Sequence, residues 1–154
     1  MKKEKKILSW CILLVGLIAL MGCPNVTNGD TSDEGPKQES EPNDSVNEAN
    51  DLESSRDAEG TVDGSDTDIW SSGGVEGYTY AFTASADSSI TVTLKNKESG
   101  SYVTKWTESG TSISRTIDPD TDGYEISDGS GNYFWYYEIT ASSEANYTIK
   151  QETN

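Results

Sequence analysis

The chain has 154 residues, with 11 basic and 27 acidic side chains, no histidine and two cysteines, and its formal net charge is −16. The absence of histidine excludes Ser-His-Asp and Cys-His nucleophiles and zinc sites with histidine ligands. The negative charge argues against nucleic-acid binding, because binding to phosphates requires clustered lysine and arginine.

The first 22 residues have the organisation of a secretory signal peptide. Four lysines and one glutamate precede an apolar run at 7–21, which is shorter than the roughly 20 residues of a membrane span. Residues 20–23, Leu-Met-Gly-Cys, resemble the bacterial lipobox, although Met21 replaces the small residue that is usual there. The resemblance implies cleavage before Cys23 and lipid attachment to its sulfur. The alternative is an ordinary signal peptide or an uncleaved anchor.

Cleavage before Cys23 would change both the charge and the cysteine count. The mature chain would have 132 residues, 7 basic and 26 acidic groups and a net charge of −19. Cys23 would be its only cysteine, which excludes an intrachain disulfide. Because two acyl chains are enough for stable anchoring, we expect the protein to be held in the bacterial cell membrane or outer membrane, exposed outside the cytoplasm.

Residues 23–40 are predicted to form the lipidated cysteine and a flexible acidic tether. Residues 24–40 contain one large apolar side chain, Val26, so this segment cannot bury enough surface to offset the entropy lost on ordering. The remaining residues, 41–152, have the size of one small domain. Thirteen of the chain's 14 aromatic residues lie at or after Trp70, so this part must supply the core.

One short helix is predicted near the start of the domain. Ser45 and Glu48 have the spacing of a capping box, and Val46, Ala49 and Leu52 would pack one or two helical turns against the rest of the domain.

Apolar and polar side chains alternate along several stretches that follow. This alternation is typical of strands with one buried face. Six or seven strands separated by turns, with no long helical pattern, favour an all-β fold, specifically an antiparallel β-sandwich of the jelly-roll type. The predicted strands are 78–83, 90–94, 102–106, 111–117, 123–127, 135–139 and 147–149.

The acidic loop 118–123 begins like an EF-hand loop, with the sequence Asp-Pro-Asp-Thr-Asp-Gly. Its twelfth position is Gly129, where an EF-hand needs a bidentate glutamate, so an EF-hand is excluded. An ordinary turn and a looser calcium loop both remain open.

The aromatic cluster at 133–137 is the best candidate for recognition of a partner. If Trp135, Tyr137 and Ile139 face the core, Phe134 and Tyr136 face outward, because successive side chains of a strand point to opposite faces. Exposed aromatic rings on a sheet stack on sugars or anchor peptides, and we therefore predict that Phe134 and Tyr136 bind a ligand. The alternative is that a loop or a neighbouring strand covers them.

Two acidic motifs carry a family resemblance. Residues 39–45 read Glu-Ser-Glu-Pro-Asn-Asp-Ser, and residues 64–70 read Gly-Ser-Asp-Thr-Asp-Ile-Trp. Their order and spacing, together with a Tyr-rich final hairpin, resemble the bacterial pre-peptidase C-terminal domain. The resemblance covers about residues 39–151. It implies a non-catalytic β-sandwich of the kind appended to exported enzymes, although no enzyme domain precedes it in this chain.

Some relatives in that family bind calcium between an acidic N-terminal segment and a later aspartate-containing loop. Calcium takes six to eight oxygen ligands, which carboxylates and amides supply. Residues 41–68 contain ten carboxylates and one base, Arg56, and such crowding is costly unless a cation or solvent screens it. The alternative is a solvated acidic surface with aspartates that cap turns. The predicted ligands are Glu39, Glu41, Asn43, Asp44, Asp63, Asp66 and Asp68.

These features favour a non-catalytic, lipid-anchored envelope protein whose domain binds an extracellular protein or carbohydrate and is stabilised by calcium. A first alternative is an accessory subunit that docks on an exported protease or another envelope protein. A second alternative is a glycan-acting enzyme that uses a carboxylate pair such as Asp66 and Asp68. The sequence argues against that enzyme, because no apolar surroundings are evident that would raise the pKa of one carboxyl.

Overall fold

The computed structural model describes residues 35–127 and 129–154. The predicted signal peptide, Cys23 and residues 24–34 of the predicted tether lie outside these ranges. The described residues contain strands, turns and loops but no helix, and therefore none that would cross a membrane. The strands are β1 (Lys37–Gln38), β2 (Asn50–Asp51), β3 (Ala58–Val62), β4 (Asp68–Val75), β5 (Tyr80–Glu98), β6 (Ser101–Ile117), β7 (Asn132–Ala141) and β8 (Ala145–Thr153).

All eight strands belong to one curled sheet, which confirms the all-β prediction. The strand order is β1-β3-β8-β5-β7-β4-β2, and β6 pairs with β5. The long strand β5 joins the two halves of the sheet. Its residues 80–86 pair with β8, and its residues 90–96 pair with β7, with a register shift between Ser85 and Ile90 on its β6 side. The sheet therefore continues through a bend in β5.

The sheet is mixed, which corrects the purely antiparallel prediction. β1 runs parallel to β3, and β2 runs parallel to β4, whereas the other pairs are antiparallel. The two parallel pairs arise because one N-terminal segment, 37–51, contributes a short strand to each end of the sheet. This segment ties both halves of the sheet to the start of the domain.

Six predicted elements differ from the structure. The strands predicted at 78–83 and 90–94 merge into β5, and those predicted at 102–106 and 111–117 merge into β6. Residues 123–127 form only an isolated bridge between Ile126 and Tyr133. The predicted helix is a turn in which Ser45 Oγ donates to Glu48 Oε2 at 2.7 Å. It does not continue because β2, which starts at Asn50, is already extended along β4.

The buried face of the sheet follows the predicted alternation. Ile90, Val92 and Leu94 are buried, and so are the alternate residues at 135–139 and 147–149. Aromatic rings fill the space between the two halves: the rings of Phe82 and Tyr137 stack with centroids 4.2 Å apart. The core residues of the described chain accordingly run from Leu52 to Ile149.

The unit of the chain that contains the sheet begins at Gly35, before the predicted domain boundary at residue 41. The Arg56 guanidinium donates two hydrogen bonds to the carbonyl of Gly35, at 3.2 and 3.1 Å. Strand β1 and the backbone hydrogen bond from Glu39 to Glu59 then hold the chain along β3. Residues 35–40, which the sequence analysis assigned to the tether, thus lie against the sheet.

Candidate functional site

The structure brings five of the seven predicted metal ligands together. They form two groups of three residues, and Glu41 belongs to both. Within each group, one carboxylate oxygen of each residue lies within 4.8 Å of the others. Two oxygens on opposite sides of a calcium ion lie at most about 5 Å apart, because each is about 2.3 to 2.6 Å from the ion. Both groups therefore have the spacing of cation ligands. The groups are Glu39, Glu41 and Asp68, and Glu41, Asp44 and Asp66.

Asp68 is the one fully buried carboxyl among the five residues of these two groups. It is the first residue of β4, and the same inward-facing register that buries Trp70 also places Asp68 inside, so its exposed fraction is 0%. Neither of its carboxylate oxygens has a hydrogen-bond partner. The pKa of Asp68 is raised to about 8, mainly by burial and also by the nearby carboxylates of Glu39 and Asp66, whereas the neighbouring Tyr147 hydroxyl acts in the opposite direction. A buried carboxylate without a partner needs either a proton or a cation.

Asn43 supplies a second unpartnered polar side chain in the same N-terminal segment. It is fully buried, and neither its carboxamide oxygen nor its nitrogen has a hydrogen-bond partner. Its backbone carbonyl accepts from the N–H of Ile69 at 3.1 Å, so it lies beside the start of β4. Native proteins leave few buried polar groups unpaired, and two such side chains beside an acidic cluster are consistent with a position that holds a cation or a water.

The second group is crowded with like charge near the surface. Burial raises the pKa of Glu41, and the neighbouring carboxylates of Asp66, Glu39 and Asp44 add to that effect. Burial and the Asp44 and Asp63 carboxylates also raise the pKa of Asp66. Both shifts show that each charge is unfavourable to its neighbours, and a divalent cation would reverse this repulsion.

Glu39 is held more firmly than the other carboxylates. Its Oε1 accepts the N–H of Thr61 at 2.7 Å, and its Oε2 accepts the hydroxyl of Tyr147 at 3.2 Å. The Tyr147 oxygen in turn accepts the indole N–H of Trp70 at 2.8 Å. A chain of hydrogen bonds thus connects the acidic site to the core.

The remaining predicted ligand, Asp63, lies outside both groups. Its Oδ1 accepts the backbone N–H and the hydroxyl of Ser65, at 2.8 and 2.9 Å, and these bonds lower its pKa. Asp63 closes the turn before β4, which brings Asp66 and Asp68 to the N-terminal segment.

The sequence analysis missed the hydrogen bond that Tyr147 donates to Glu39 and the bond from the core residue behind it, Trp70. Tyr147 and Trp70 were assigned only to the core, although alternation along β4 and β8 places both on the buried face beside Asp68. Gly60 was overlooked as well. Glycine inside a strand often marks a close approach of another group, and that signal was present.

The second acidic loop, 118–123, is engaged in structural hydrogen bonds. Asp120 Oδ1 accepts the hydroxyl of Tyr133 at 2.7 Å, and Oδ2 accepts the N–H of Gly77 at 2.8 Å. Asp122 Oδ2 accepts the N–H of Asp118 at 3.0 Å. The loop is an internally bonded turn that fastens the β6–β7 connection to the β4–β5 connection.

The structure places the two predicted recognition aromatics on the outer face of β7, opposite the buried Trp135. Phe134 is 51% exposed, and Tyr136 is half-buried. The ring of Tyr102 from β6, 41% exposed, meets the ring of Tyr136 edge-on at 5.4 Å. Val75, at the end of β4, is also exposed. We call Val75, Tyr102, Phe134 and Tyr136 the aromatic face.

These two regions can act in different ways. The acidic site can bind a divalent cation through carboxylate oxygens, and the aromatic face can stack on or pack against a partner.

Searches against protein-family models and against curated proteins found no match to this chain.

Proposed function

We propose that this protein is a non-catalytic binding or accessory module, anchored by lipid in the bacterial cell envelope and stabilised by calcium. The observation that carries the cation site is Asp68, which is fully buried, has no hydrogen-bond partner and faces two further carboxylates. An uncompensated buried charge is strongly destabilising, so a cation at this position would stabilise the fold directly.

The ligand chemistry favours calcium over transition metals and magnesium. The ligands within reach are carboxylates, and the described residues include no histidine or cysteine near them. A cluster of hard oxygen ligands suits calcium, whereas magnesium requires a tight octahedron and keeps several waters. Titration calorimetry with calcium should show binding, and Asp68→Asn should remove it. Unchanged binding in that variant would contradict the site.

The burial of Asp68 also favours cation binding over catalysis. A glycosidase needs two carboxyls at about 5 to 10 Å, one of them with a raised pKa. Asp68 has a raised pKa, and one of its oxygens lies within 4.8 Å of an oxygen of Glu39. The catalytic acid must reach the glycosidic oxygen, however, and Asp68 is inaccessible to solvent.

The finer fold we propose is a jelly-roll-like sandwich of the pre-peptidase C-terminal type, with the two halves of the curled sheet as its layers.

We propose the aromatic face as the surface that recognises an extracellular protein or carbohydrate. Its support is the 51% exposure of Phe134 on a regular strand, beside two tyrosines. Phe134→Ala should abolish binding to the envelope partner, whereas Tyr78→Ala, an equally exposed aromatic in the β4–β5 connection, should not. A glycan array and co-purification from envelope fractions would separate a carbohydrate partner from a protein partner. Equal binding by both variants would contradict the assignment.

The proposed lipid anchor has a direct test of its own. Cys23→Ser should prevent incorporation of labelled palmitate and move the protein from the membrane fraction to the soluble exported fraction. Cys11→Ser, which changes the other cysteine within the proposed signal peptide, is the matched control and should leave labelling intact. Membrane retention of the Cys23 variant would indicate an uncleaved anchor instead.

A further inference from the structure

Glu39 belongs to the acidic site and is also the end point of a hydrogen-bond chain from the core. The Trp70 indole donates to the Tyr147 oxygen, and the Tyr147 hydroxyl donates to Glu39 Oε2. Trp70 and Tyr147 are both buried, so neither donor has solvent as an alternative partner. The geometry therefore fixes one oxygen of Glu39 through groups that belong to the hydrophobic core.

The space around this contact exists because residue 60 is glycine. A Cβ at Gly60 would lie 2.3 Å from Glu39 Oε2 and 2.4 Å from the Tyr147 oxygen. Both distances are too short for non-bonded atoms, so any side chain at this position would displace the carboxylate, the phenol or both. Gly60 pairs with Tyr147 across β3 and β8, which sets this spacing.

The hydrogen bonds leave Glu39 able to bind a cation. Oε1 accepts one bond from Thr61 and Oε2 accepts one from Tyr147, and a carboxylate oxygen has two acceptor positions. Carboxylates that bind metals are commonly held in this way by an outer shell of donors, and loss of such donors typically costs 10- to 100-fold in metal affinity. Asp68, which is fully buried, faces the same group, and the Tyr147 hydroxyl also favours its charged form.

We propose that Tyr147 and Gly60 are positioning residues for cation binding: they hold Glu39 in the orientation that completes the site with Glu41 and Asp68. This inference rests on the proposed calcium site. It goes beyond that site by placing the control of affinity in the core of the sheet, in residues that do not touch the cation.

The test compares calcium affinity by titration calorimetry on the full chain in detergent. Tyr147→Phe removes the donor to Glu39 and should weaken calcium binding by about 10-fold or more. Gly60→Ala should weaken it to a similar extent. Trp70→Phe is the matched control, because it removes the upstream indole donor and keeps the bond from Tyr147 to Glu39. It should lower the melting temperature in EDTA but leave the dissociation constant within about threefold of the unsubstituted protein.

The outcomes separate a positioning role from general support of the fold. Equal affinity for calcium in Tyr147→Phe and the unsubstituted protein would overturn the inference while leaving the calcium site in place. An equal loss of affinity in Trp70→Phe and Tyr147→Phe would also overturn it, because stability of the core would then explain both. If the unsubstituted protein does not bind calcium, the calcium site itself fails, and this inference fails with it.

Discussion

At the scale of single residues, Asp68 is a carboxyl that is fully buried in the described part of the chain, and burial penalises its charged form. An inward strand position normally holds an apolar side chain, as Trp70 does two residues later. The carboxylate of Asp68 is instead surrounded by other carboxylates and lacks hydrogen bonds. We interpret this cost as the basis of cation binding, because the same features that destabilise the empty site strengthen its attraction for calcium.

Replacement of Asp68 by asparagine should separate the cost of burying the carboxylate from its contribution to calcium binding. In EDTA at pH 8, Asp68→Asn should be as stable as the unsubstituted protein or about 1 to 2 kcal/mol more stable, because a buried charge is removed. Its increase in melting temperature with calcium should disappear. Asp63→Asn is the matched control and should keep that increase, since Asp63 lies outside both carboxylate groups. Strong destabilisation of Asp68→Asn in EDTA would contradict this account.

The dependence of stability on pH follows from the same residue. The pKa of Asp68 is about 8 in the folded chain and starts from an ordinary value of 3.8. Between these values the folded state binds the proton more tightly than the unfolded chain, so the free energy of unfolding should fall as pH rises from about 4 to 8. Urea titrations in EDTA at several pH values would measure this slope. The slope should be shallower in Asp68→Asn, and parallel curves would refute the assignment.

Sequence reasoning at this scale identified acidic residues that the structure brings together, but not the groups that hold Glu39. The oxygen-rich motifs around Glu41 and Asp66 are visible locally, whereas the bond from Tyr147 to Glu39 joins residues 108 positions apart. Such a contact depends on the pairing of β3 with β8, which the order of residues does not specify.

At the scale of elements, Gln151 is the polar residue that joins the two halves of the sheet. On β8, it accepts from Trp135 Nε1 at 3.0 Å and from the Tyr137 hydroxyl at 2.7 Å, and it donates to the carbonyl of Gly73 at 2.9 Å. Every polar atom of its side chain is therefore bonded inside the core. Such a network fixes one arrangement of β4, β7 and β8.

Gln151→Leu should test that role. The substitution nearly keeps the volume, but it leaves the Tyr137 hydroxyl without an acceptor and the Gly73 carbonyl without this donor. The expected loss is about 2 to 3 kcal/mol of unfolding free energy, measured by urea denaturation. Glu152→Gln, an exposed change on the same strand, should alter it by less than about 0.5 kcal/mol. A loss below that level in Gln151→Leu would show that the network is dispensable.

The elements were predictable where alternation was regular and were missed where pairing was long-range. The buried faces of 90–94, 135–139 and 147–149 follow directly from a period of two. The continuous strand β5 was not predicted, because residues 85–89, Ser-Ala-Asp-Ser-Ser, contain no large apolar side chain and interrupt its apolar pattern. The bend in β5 is stabilised by β8 on one side and β7 on the other, and neither partner is close in sequence.

At the scale of the whole molecule, the acidic site joins the start of the structured unit to its sheet. The segment 35–51 contributes the short strands β1 and β2 to opposite ends of the sheet, and it supplies Glu39, Glu41 and Asp44 to the site. A cation would therefore hold this segment against β3 and β4. Without a cation, the site is a cluster of mutually repelling carboxylates, in a chain whose net charge is already −16.

The most direct test of the central claim is the melting temperature in EDTA, in excess calcium and in excess magnesium. Calcium at 100 times its dissociation constant should add about 2.7 kcal/mol. For a domain of this size, the melting temperature should rise by roughly 8 to 12 °C, with a smaller rise in magnesium. The same melting temperature in EDTA and in calcium would contradict the account, and the buried carboxyl of Asp68 would then be held in the fold by a proton.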